Sequence, residues 1–229
     1  MAKVSIVIPT LNAAAWLRRS LPPLADFGAL DLIREAILAD GGSTDETAAI
    51  AEAAGARLVR GETGRGLQLA AGAAAARGDW LLFLHADTVL QPGWDTVVRG
   101  FIESPANAGR AAYFRFALDD ARIAARRIAW LTNLRCRVLG LPYGDQGLLI
   151  ARDFFNELGG YAPLPLMEDV DLVRRIGRRR LAMLDAVAVT SAARYRRDGF
   201  WLRPLRNQLC LALWFLGVPP RAIMRIYER

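Results

Sequence analysis

The segment Asp79–Thr88, which reads DWLLFLHADT, constrains the fold more than any other part of the chain. Its apolar run at 80–84 is typical of a strand buried on both faces, as in a parallel sheet. The run stops at His85 and Asp87, and ligands of open α/β sheets bind outside the carboxyl ends of the strands. The segment therefore predicts a strand that delivers His85 and Asp87 to a binding site. The structural alternative is a polar turn in which Asp87 caps the next element.

Strands and helices alternate along the first half of the chain. Strands are predicted at 4–8, 35–39, 56–59 and 80–84, with helices at 13–21, 43–55 and 66–77 and after Pro92-Gly93. This alternation predicts a largely parallel sheet. The second half is less regular, with strands predicted at 110–118, 148–151 and 181–189 and helices at 121–139, 166–176, 202–216 and 220–227. Because no internal repeat or low-complexity linker interrupts the chain, we expect one α/β domain with a central, mostly parallel mixed sheet flanked by helices.

Composition excludes several classes of protein. The apolar fraction of 53% and charged fraction of 23% describe a globular chain, and no apolar stretch reaches the length of about 18 residues that spans a bilayer. Cys136 and Cys210 form no disulfide framework, and the start, Met1-Ala2-Lys3, lacks a cleavable signal pattern. We therefore expect a cytoplasmic protein. The net charge of +7 favours anionic ligands or an anionic membrane face, and it is the only support for nucleic-acid binding, which we do not expect.

Turn residues between the elements carry further signals. Asn12 is expected to cap the helix that follows it. Ser43 and Glu46 have the spacing of a capping box at the start of the next helix. The glycine-rich loop 61–66 could present backbone N–H groups and the guanidinium of Arg65 to an anion, although an ordinary turn explains it equally well.

Three predicted strands place polar side chains at one edge of the sheet: Thr10 with Asn12, Asp40, and His85 with Asp87. A carboxylate such as Asp40 could accept the ring N–H of uracil or guanine. Asp87 could hold a hard divalent cation through oxygen, of the kind that bridges to a diphosphate.

Asp169 is expected to point inward from the start of a helix. It shares a helix face with the apolar residues Leu172, Val173 and Ile176. An inward carboxylate suits a general base, which must reach a bound hydroxyl. The alternative is that Glu168 and Asp169 only complement the helix dipole.

Five segments resemble those of a known family. They are VSIVIPTLN (4–12), LADGGSTDET (38–47), GDWLLFLHADT (78–88), GDQGLLI (144–150) and GGYAPLPLMEDVDLVRRI (159–176). In this order they resemble the inverting family-two nucleotide-sugar glycosyltransferases with the GT-A fold. HADT in place of the usual DxD resembles a bacterial subgroup labelled arsenosugar-biosynthesis glycosyltransferases.

The resemblance implies a role for each matched residue. Asp169 would be the catalytic base with Glu168 beside it, and Asp87 would bind the metal, Mn or Mg. Asp145 and Gln146 would face the sugar or bind the acceptor. The residues implied for donor binding are Pro9, Thr10, Asn12, Asp40, Arg65, His85, Arg194 and Arg196, with Arg197 a further candidate for the diphosphate.

The chain departs from the family pattern at two places. Gly41 stands where a second aspartate is usual after the second strand, and His85 stands at the first acid of DxD. No late histidine completes a metal site. A metal would then depend mainly on Asp87, the diphosphate and water.

The resemblance implies an inverting, hexosyltransferase-like enzyme that uses a UDP-sugar or GDP-sugar and a small-molecule or lipid acceptor. The alternatives are a sugar nucleotidyltransferase and a non-catalytic sugar-nucleotide-binding protein at a membrane surface. A dehydrogenase is excluded because the turn PTLN has no glycine, and a phosphate-loop nucleotidase because GK[ST] is missing.

Residues 1–229 are expected to form a single glycosyltransferase domain. It would comprise a nucleotide-sugar-binding half at 1–105, an acceptor and catalytic half at 106–200, and C-terminal helices at 201–229. The apolar segment 209–218 is flanked by arginines and is too short to span a bilayer. Packing on the chain's own sheet is favoured, and peripheral contact with the inner membrane face or a homodimer are the alternatives.

Overall fold

A computed structural model describes residues 3–25 and 29–227. Met1 and Ala2, on which the expectation about a signal pattern partly depends, lie outside the described residues. The strands are β1 (Val4–Thr10), β2 (Ile33–Asp40), β3 (Arg57–Arg60), β4 (Trp80–Phe83), β5 (Thr88–Leu90), β6 (Ala111–Leu118), β7 (Leu148–Ala151) and β8 (Leu181–Thr190). They form one sheet with the order β3-β2-β1-β4-β7-β6-β8-β5.

Ten α-helices accompany the sheet within these described ranges. They are α1 (Ala14–Ser20), α2 (Thr47–Ala53), α3 (Arg65–Ala75), α4 (Trp94–Ile102), α5 (Ile123–Leu139), α6 (Arg152–Glu157), α7 (Glu168–Ile176), α8 (Ala193–Asp198), α9 (Leu202–Phe215) and α10 (Pro220–Tyr227).

The first half of the sheet is parallel, as predicted. β1 pairs in parallel with β2 and β4, and β2 pairs in parallel with β3. β1 and β4 are buried along almost their whole length, as strands covered on both faces are. Thr10 pairs with Asp40, so the carboxyl ends of β1 and β2 lie side by side.

The second half makes the sheet mixed. β7 lies antiparallel between β4 and β6, β6 and β8 are parallel, and β5 is antiparallel to β8. The predicted α/β class with a mostly parallel mixed sheet is confirmed. The short elements β5, α6 and α8, which contain 3, 6 and 6 residues, are not among the elements predicted from sequence.

The prediction that Asn12 caps α1 is wrong. The helix begins at Ala14 without a side-chain cap at the preceding residue, and Asn12 has a left-handed backbone with φ 50°. Asn12 Oδ1 instead accepts the Thr44 N–H at 2.9 Å, while Asp45 accepts the Ala14 N–H at 3.0 Å. The loop after β2 therefore caps the helix that follows β1.

The predicted capping box at Ser43 and Glu46 is also wrong, because both side chains have other partners. The Ser43 hydroxyl donates to Asp40, and Glu46 pairs with Arg18 of α1. As a result α2 begins only at Thr47.

The C-terminal helices pack on the start of α7, not on the sheet as favoured from sequence. A cluster separate from the main core of the sheet joins these helices: Leu166, Met167, Val170, Cys210, Leu211 and Ile223. This packing brings α9 and α10 next to the edge where β1 and β4 end.

Candidate active site

A cleft of about 360 Å³ opens where β1 and β4 end. The cleft is lined by residues 9–13 at the end of β1, 85–87 after β4 and 143–145 before β7, together with the start of α7. Arg203, Asn207 and Cys210 of α9 and Tyr227 of α10 also line it. Residues from all three predicted regions of the chain therefore meet in one cleft.

Asp40 supports the wall of this cleft but does not line it. Asp40 is 3% exposed, and its carboxylate accepts hydrogen bonds from the Thr10 hydroxyl at 3.0 Å and the Gly42 and Ser43 N–H groups at 3.2 and 2.9 Å. Burial opposes ionisation, but these bonds and one from the Ser43 hydroxyl outweigh it and lower the pKa of Asp40. The oxygens of Asp40 thus serve the loop that holds Thr10, and the expected contact with a nucleobase stays a prediction.

His85 and Asp87 both lie in the cleft, as the strand end predicted. Burial and the positive charges of Arg65 and Arg194 lower the pKa of His85 well below its ordinary value, so the imidazole is neutral at neutral pH. A neutral imidazole can donate from one nitrogen and accept at the other. Burial raises the pKa of Asp87, although Arg194 and the Thr190 hydroxyl, 3.5 Å away, favour its carboxylate form.

Asp169 lies in the first turn of α7 and lines the cleft. Met167, just before the helix, has a left-handed backbone with φ 66°. Asp169 Oδ2 accepts the Gly144 N–H at 2.8 Å, and Oδ1 accepts the Val170 N–H at 2.8 Å. These bonds fix the carboxylate but leave acceptor capacity, since a carboxylate has about four lone-pair sites.

Gly144 allows Asp169 and His85 to approach the same point. A Cβ at Gly144 would lie 2.5 Å from His85 Nε2 and 3.4 Å from Asp169 Oδ2. A side chain at this position would therefore displace His85. The missing Cβ lets both polar groups face a shared space.

Glu168 is not among the described residues that line the cleft. This position does not fit the expected catalytic role beside Asp169. It is fully buried and forms an ion pair with Arg65, which does line the cleft. Burial raises the pKa of Glu168, while the charge of Arg65 opposes that rise. Glu168 acts on the cleft through Arg65.

Asp145 lines the cleft, but its neighbour Gln146 does not. The Gln146 amide oxygen accepts the Tyr143 N–H at 3.3 Å and the Cys136 thiol at 3.0 Å, and its amide nitrogen donates to the Phe114 carbonyl at 3.3 Å. The expected acceptor contact of Gln146 is therefore corrected to a structural role.

Burial raises the pKa of Asp145 to about 6; Arg135 opposes this rise, while the charges of Asp169 and Asp87 add to it. The three carboxyl groups are thus close enough to influence one another. They make this side of the cleft a concentrated source of acceptor oxygens.

The arginines expected near a diphosphate separate into two groups. Arg194 lines the cleft and donates to the Tyr227 hydroxyl at 2.9 Å. Arg196 pairs with the two aspartates after β6 at 3.3 Å each, and Arg197 pairs with Asp198 at 2.7 Å. The expected donor contact of Arg196 is corrected, because its charge is used to hold α8.

The C-terminal helices contribute side chains to the cleft that are not among the residues predicted from sequence. Arg203 is 3% exposed, donates to Asp198 at 3.2 Å and to the Tyr227 carbonyl at 3.1 Å, and lies 4.3 Å from the centroid of the Tyr227 ring. The available signal was the spacing of Arg203, Asn207 and Cys210, which places polar residues on the inward face of α9.

Residues 5–153 match the sequence model of Glycosyl transferase family 2. The chain belongs to glycosyl transferase family 2. The family resemblance of the motifs is thereby confirmed. The matched range contains Asp87 and Asp145 but ends before α7, so Asp169 and the C-terminal helices lie outside it.

Curated relatives of this family 2 chain include two mycobacterial enzymes. A PGL/p-HBAD biosynthesis glycosyltransferase of Mycobacterium tuberculosis is 44% identical over 102 residues, which are 42% of this chain and 39% of the relative. A glucosyl-3-phosphoglycerate synthase of M. tuberculosis is 36% identical over 98 residues, 38% of this chain and 29% of the relative. The similarity thus spans well under half of either relative.

Solved structures show the same fold. The structure of M. tuberculosis glucosyl-3-phosphoglycerate synthase in complex with Mn²⁺, UDP and glucosyl-3-phosphoglycerate has a TM-score of 0.59 and 23% identity, covering 83% of this chain and 70% of that one. A complex of the same enzyme with Mn²⁺, UDP-glucose and phosphoglyceric acid has a TM-score of 0.58 and 25% identity, with the same coverage. The predicted GT-A fold is therefore confirmed for this glycosyltransferase family member.

Proposed function

We propose that this family 2 protein transfers a sugar from a nucleoside diphosphate to an acceptor hydroxyl with inversion. The observation that carries the proposal is that Asp87 and Asp169, which are far apart in the chain, line one cleft. A single displacement needs charge stabilisation beside the leaving diphosphate and a base beside the acceptor. Asp87 and Asp169 are carboxylates of the type that each task requires.

Asp169 is the proposed general base. It takes the proton of the acceptor hydroxyl while that oxygen forms a bond to the anomeric carbon of the donor. The bond from this carbon to the diphosphate breaks, and its electron pair leaves with the diphosphate oxygen. Because the acceptor attacks from the opposite face, the configuration inverts. Glu168 is a positioning residue for Arg65 and has no direct part in this step.

We propose UDP as the donor nucleotide, ahead of GDP, because the structurally similar synthase was solved with UDP and UDP-glucose. The loop 9–13 would contact the nucleoside, with Pro9, Thr10 and Asn12 as the lining residues. Arg65 and Arg194 supply positive charge for the diphosphate, since both guanidinium groups border the cleft. Neutral His85 can donate a hydrogen bond to a phosphate or sugar oxygen.

A divalent cation, Mn²⁺ or Mg²⁺, fits Asp87 as a partly open site. In the ranges 3–25 and 29–227, no three His, Cys, Asp or Glu side chains come together as a complete metal site would need. A hard cation that keeps waters and binds phosphate oxygens needs only one or two protein carboxylates. When bound, such a cation neutralises negative charge on the leaving diphosphate. The arsenosugar label of the HADT subgroup stays a sequence prediction.

Product analysis tests the proposed reaction. Incubation with UDP-sugars and GDP-sugars, Mn²⁺ and an acceptor mixture should release free nucleoside diphosphate, most readily with a UDP-sugar. Release of pyrophosphate from a sugar phosphate and a nucleoside triphosphate would instead identify a sugar nucleotidyltransferase. Tight donor binding without release of either product across the panel would favour a non-catalytic binding protein.

The exposed side of α9 suggests peripheral contact with an anionic membrane. Leu202, Leu205 and Leu209 share this exposed side, opposite the buried face of the helix, and the exposed Leu216 follows its last residue. Residues 199–227 contain arginines but no aspartate or glutamate, so a second copy would oppose like charges. An anionic membrane surface complements both properties, because its headgroups attract the arginines and the adjoining acyl region accepts the leucines. In the described ranges no helix is long and apolar enough to cross a membrane.

Leu205→Glu should weaken binding to phosphatidylglycerol-containing vesicles by ~10-fold or more, because burial of a leucine contributes about 1.5–3 kcal/mol. Vesicle sedimentation measures the effect, and Leu30→Glu is the matched control because Leu30 is an exposed leucine outside α9. Equal binding of both variants would contradict the membrane contact. A dimer in light scattering that Leu205→Glu dissociates would assign this face to a second copy.

A further inference from the structure

Three polar atoms on the side of the cleft next to α9 have no hydrogen-bond partner within the described part of the chain. They are the Tyr143 hydroxyl, Asp145 Oδ1 and Asn207 Oδ1, and all three are shielded from solvent. The three residues line the same cleft, and Tyr143 packs against the cluster that includes Cys210 of α9. A buried polar atom left unpaired destabilises the folded protein. Three such atoms in one part of the cleft indicate that a bound ligand supplies their hydrogen-bond partners.

The chemistry of these atoms restricts the ligand. Asn207 Oδ1 and a carboxylate oxygen of Asp145 accept hydrogen bonds, while the Tyr143 hydroxyl can donate or accept. The occupant must therefore bring several hydrogen-bond donors, such as the hydroxyl groups of a sugar or polyol. The rings of Tyr143, Tyr195 and Tyr227 also line the cleft and offer apolar surface to C–H groups.

The charges on this side favour a neutral ligand. Arg203 is already paired with Asp198 at 3.2 Å, and Arg135 lies over the Tyr143 ring with its guanidinium carbon 3.6 Å from the centroid. An anion would instead meet the carboxyl groups of Asp145 and Asp169. A polyhydroxylated compound without a charge can donate to the unpaired acceptors without this repulsion.

We infer that this side of the cleft, formed by Tyr143, Asp145 and Asn207, is the acceptor subsite and takes a neutral sugar or polyol. The inference rests on the proposed function, since Asp169 would deprotonate a hydroxyl held here. It extends that function by adding Tyr143 and Asn207 and by giving the acceptor its chemical class.

Saturation-transfer NMR on the full chain with UDP and Mn²⁺ tests the inference. The neutral probes are methyl glycosides of glucose, galactose and mannose and the polyol mannitol, and 3-phosphoglycerate is the anionic comparator. We expect saturation transfer from the protein to at least one neutral probe. Tyr143→Phe and Asn207→Leu should each weaken that binding by ~10-fold, as the loss of one hydrogen bond in a closed site does.

Gln208→Leu is the matched control, because it removes an exposed amide from the same helix and should leave probe binding unchanged. Thermal midpoints separate binding from structural roles. Neither Tyr143→Phe nor Asn207→Leu should lower the midpoint, since each removes an atom that has no partner in the described protein. Replacement of a residue that stabilises the fold would instead lower the thermal midpoint.

The inference would be overturned by saturation transfer to 3-phosphoglycerate alone or to none of the probes. It would also be overturned if both variants bound the probes unchanged, or if both had a lowered thermal midpoint. Calorimetry with UDP and Mn²⁺ is run separately on each protein. Failure to bind UDP would contradict the proposed function even if the glycosides bind. Normal UDP binding with no response to any neutral probe would contradict only the acceptor subsite.

Discussion

Asp169→Asn is expected to lower the rate of sugar transfer by roughly a hundredfold to ten-thousandfold, the contribution of a general base. Asparagine has nearly the same shape, and its amide oxygen can still accept the Gly144 N–H that now bonds to Asp169 at 2.8 Å. The asparagine amide is not basic enough to accept the proton of the acceptor hydroxyl. Release of nucleoside diphosphate in the presence of acceptor measures the rate.

Donor binding should not change in this variant, because the proposed contacts to the diphosphate come from Arg65 and Arg194. Calorimetry with UDP and Mn²⁺ checks this. Asp171→Asn is the matched control, since Asp171 lies on the same helix but pairs with Arg175 at 2.6 Å. Full activity of Asp169→Asn would refute its role as the base, and loss of UDP binding would indicate a damaged cleft.

Asp87→Ala is expected to weaken metal-dependent binding of UDP by at least ~10-fold. Loss of a residue that only supports a metal ligand typically costs 10–100-fold in affinity, so loss of a direct ligand should cost no less. Calorimetric titration of UDP with and without Mn²⁺ gives the effect directly and requires no turnover. The metal-independent part of the affinity, which Arg65 and Arg194 would provide, should persist.

Asp185→Ala serves as the control for Asp87→Ala, because it removes an aspartate whose side chain is 88% exposed. It should bind UDP and Mn²⁺ as the unmodified protein does. If Asp87→Ala also retains full metal-dependent affinity, the cation must be held elsewhere.

The sheet and the strand ends could be predicted because they follow from local patterns. The apolar runs at β1 and β4 and the polar residues behind them place Thr10, His85 and Asp87 at one edge. The inward position of Asp169 followed from the apolar residues that share its helix face. These features require only the sequence periods of strands and helices.

The errors concern polar side chains whose partners are set by tertiary contacts. Gln146 and Arg196 have the residue types of ligand contacts, but each is used by nearby backbone or charged groups. A sequence does not distinguish a polar side chain that is free to bind a ligand from one that holds a neighbouring segment. Asn207 and Tyr227 were missed because only the packing of α9 and α10 on α7 brings them to the cleft.

The hydrogen bonds of Asp40 have a consequence for the thermodynamics of donor recognition. Thr10, Gly42 and Ser43 are already tied to its carboxylate without any bound molecule. Thr10, which is proposed to contact the nucleoside, and the loop after β2 are therefore held in place before a donor binds. Binding of a donor therefore costs little additional conformational entropy of the protein at this point. More of the free energy of its contacts then contributes to affinity.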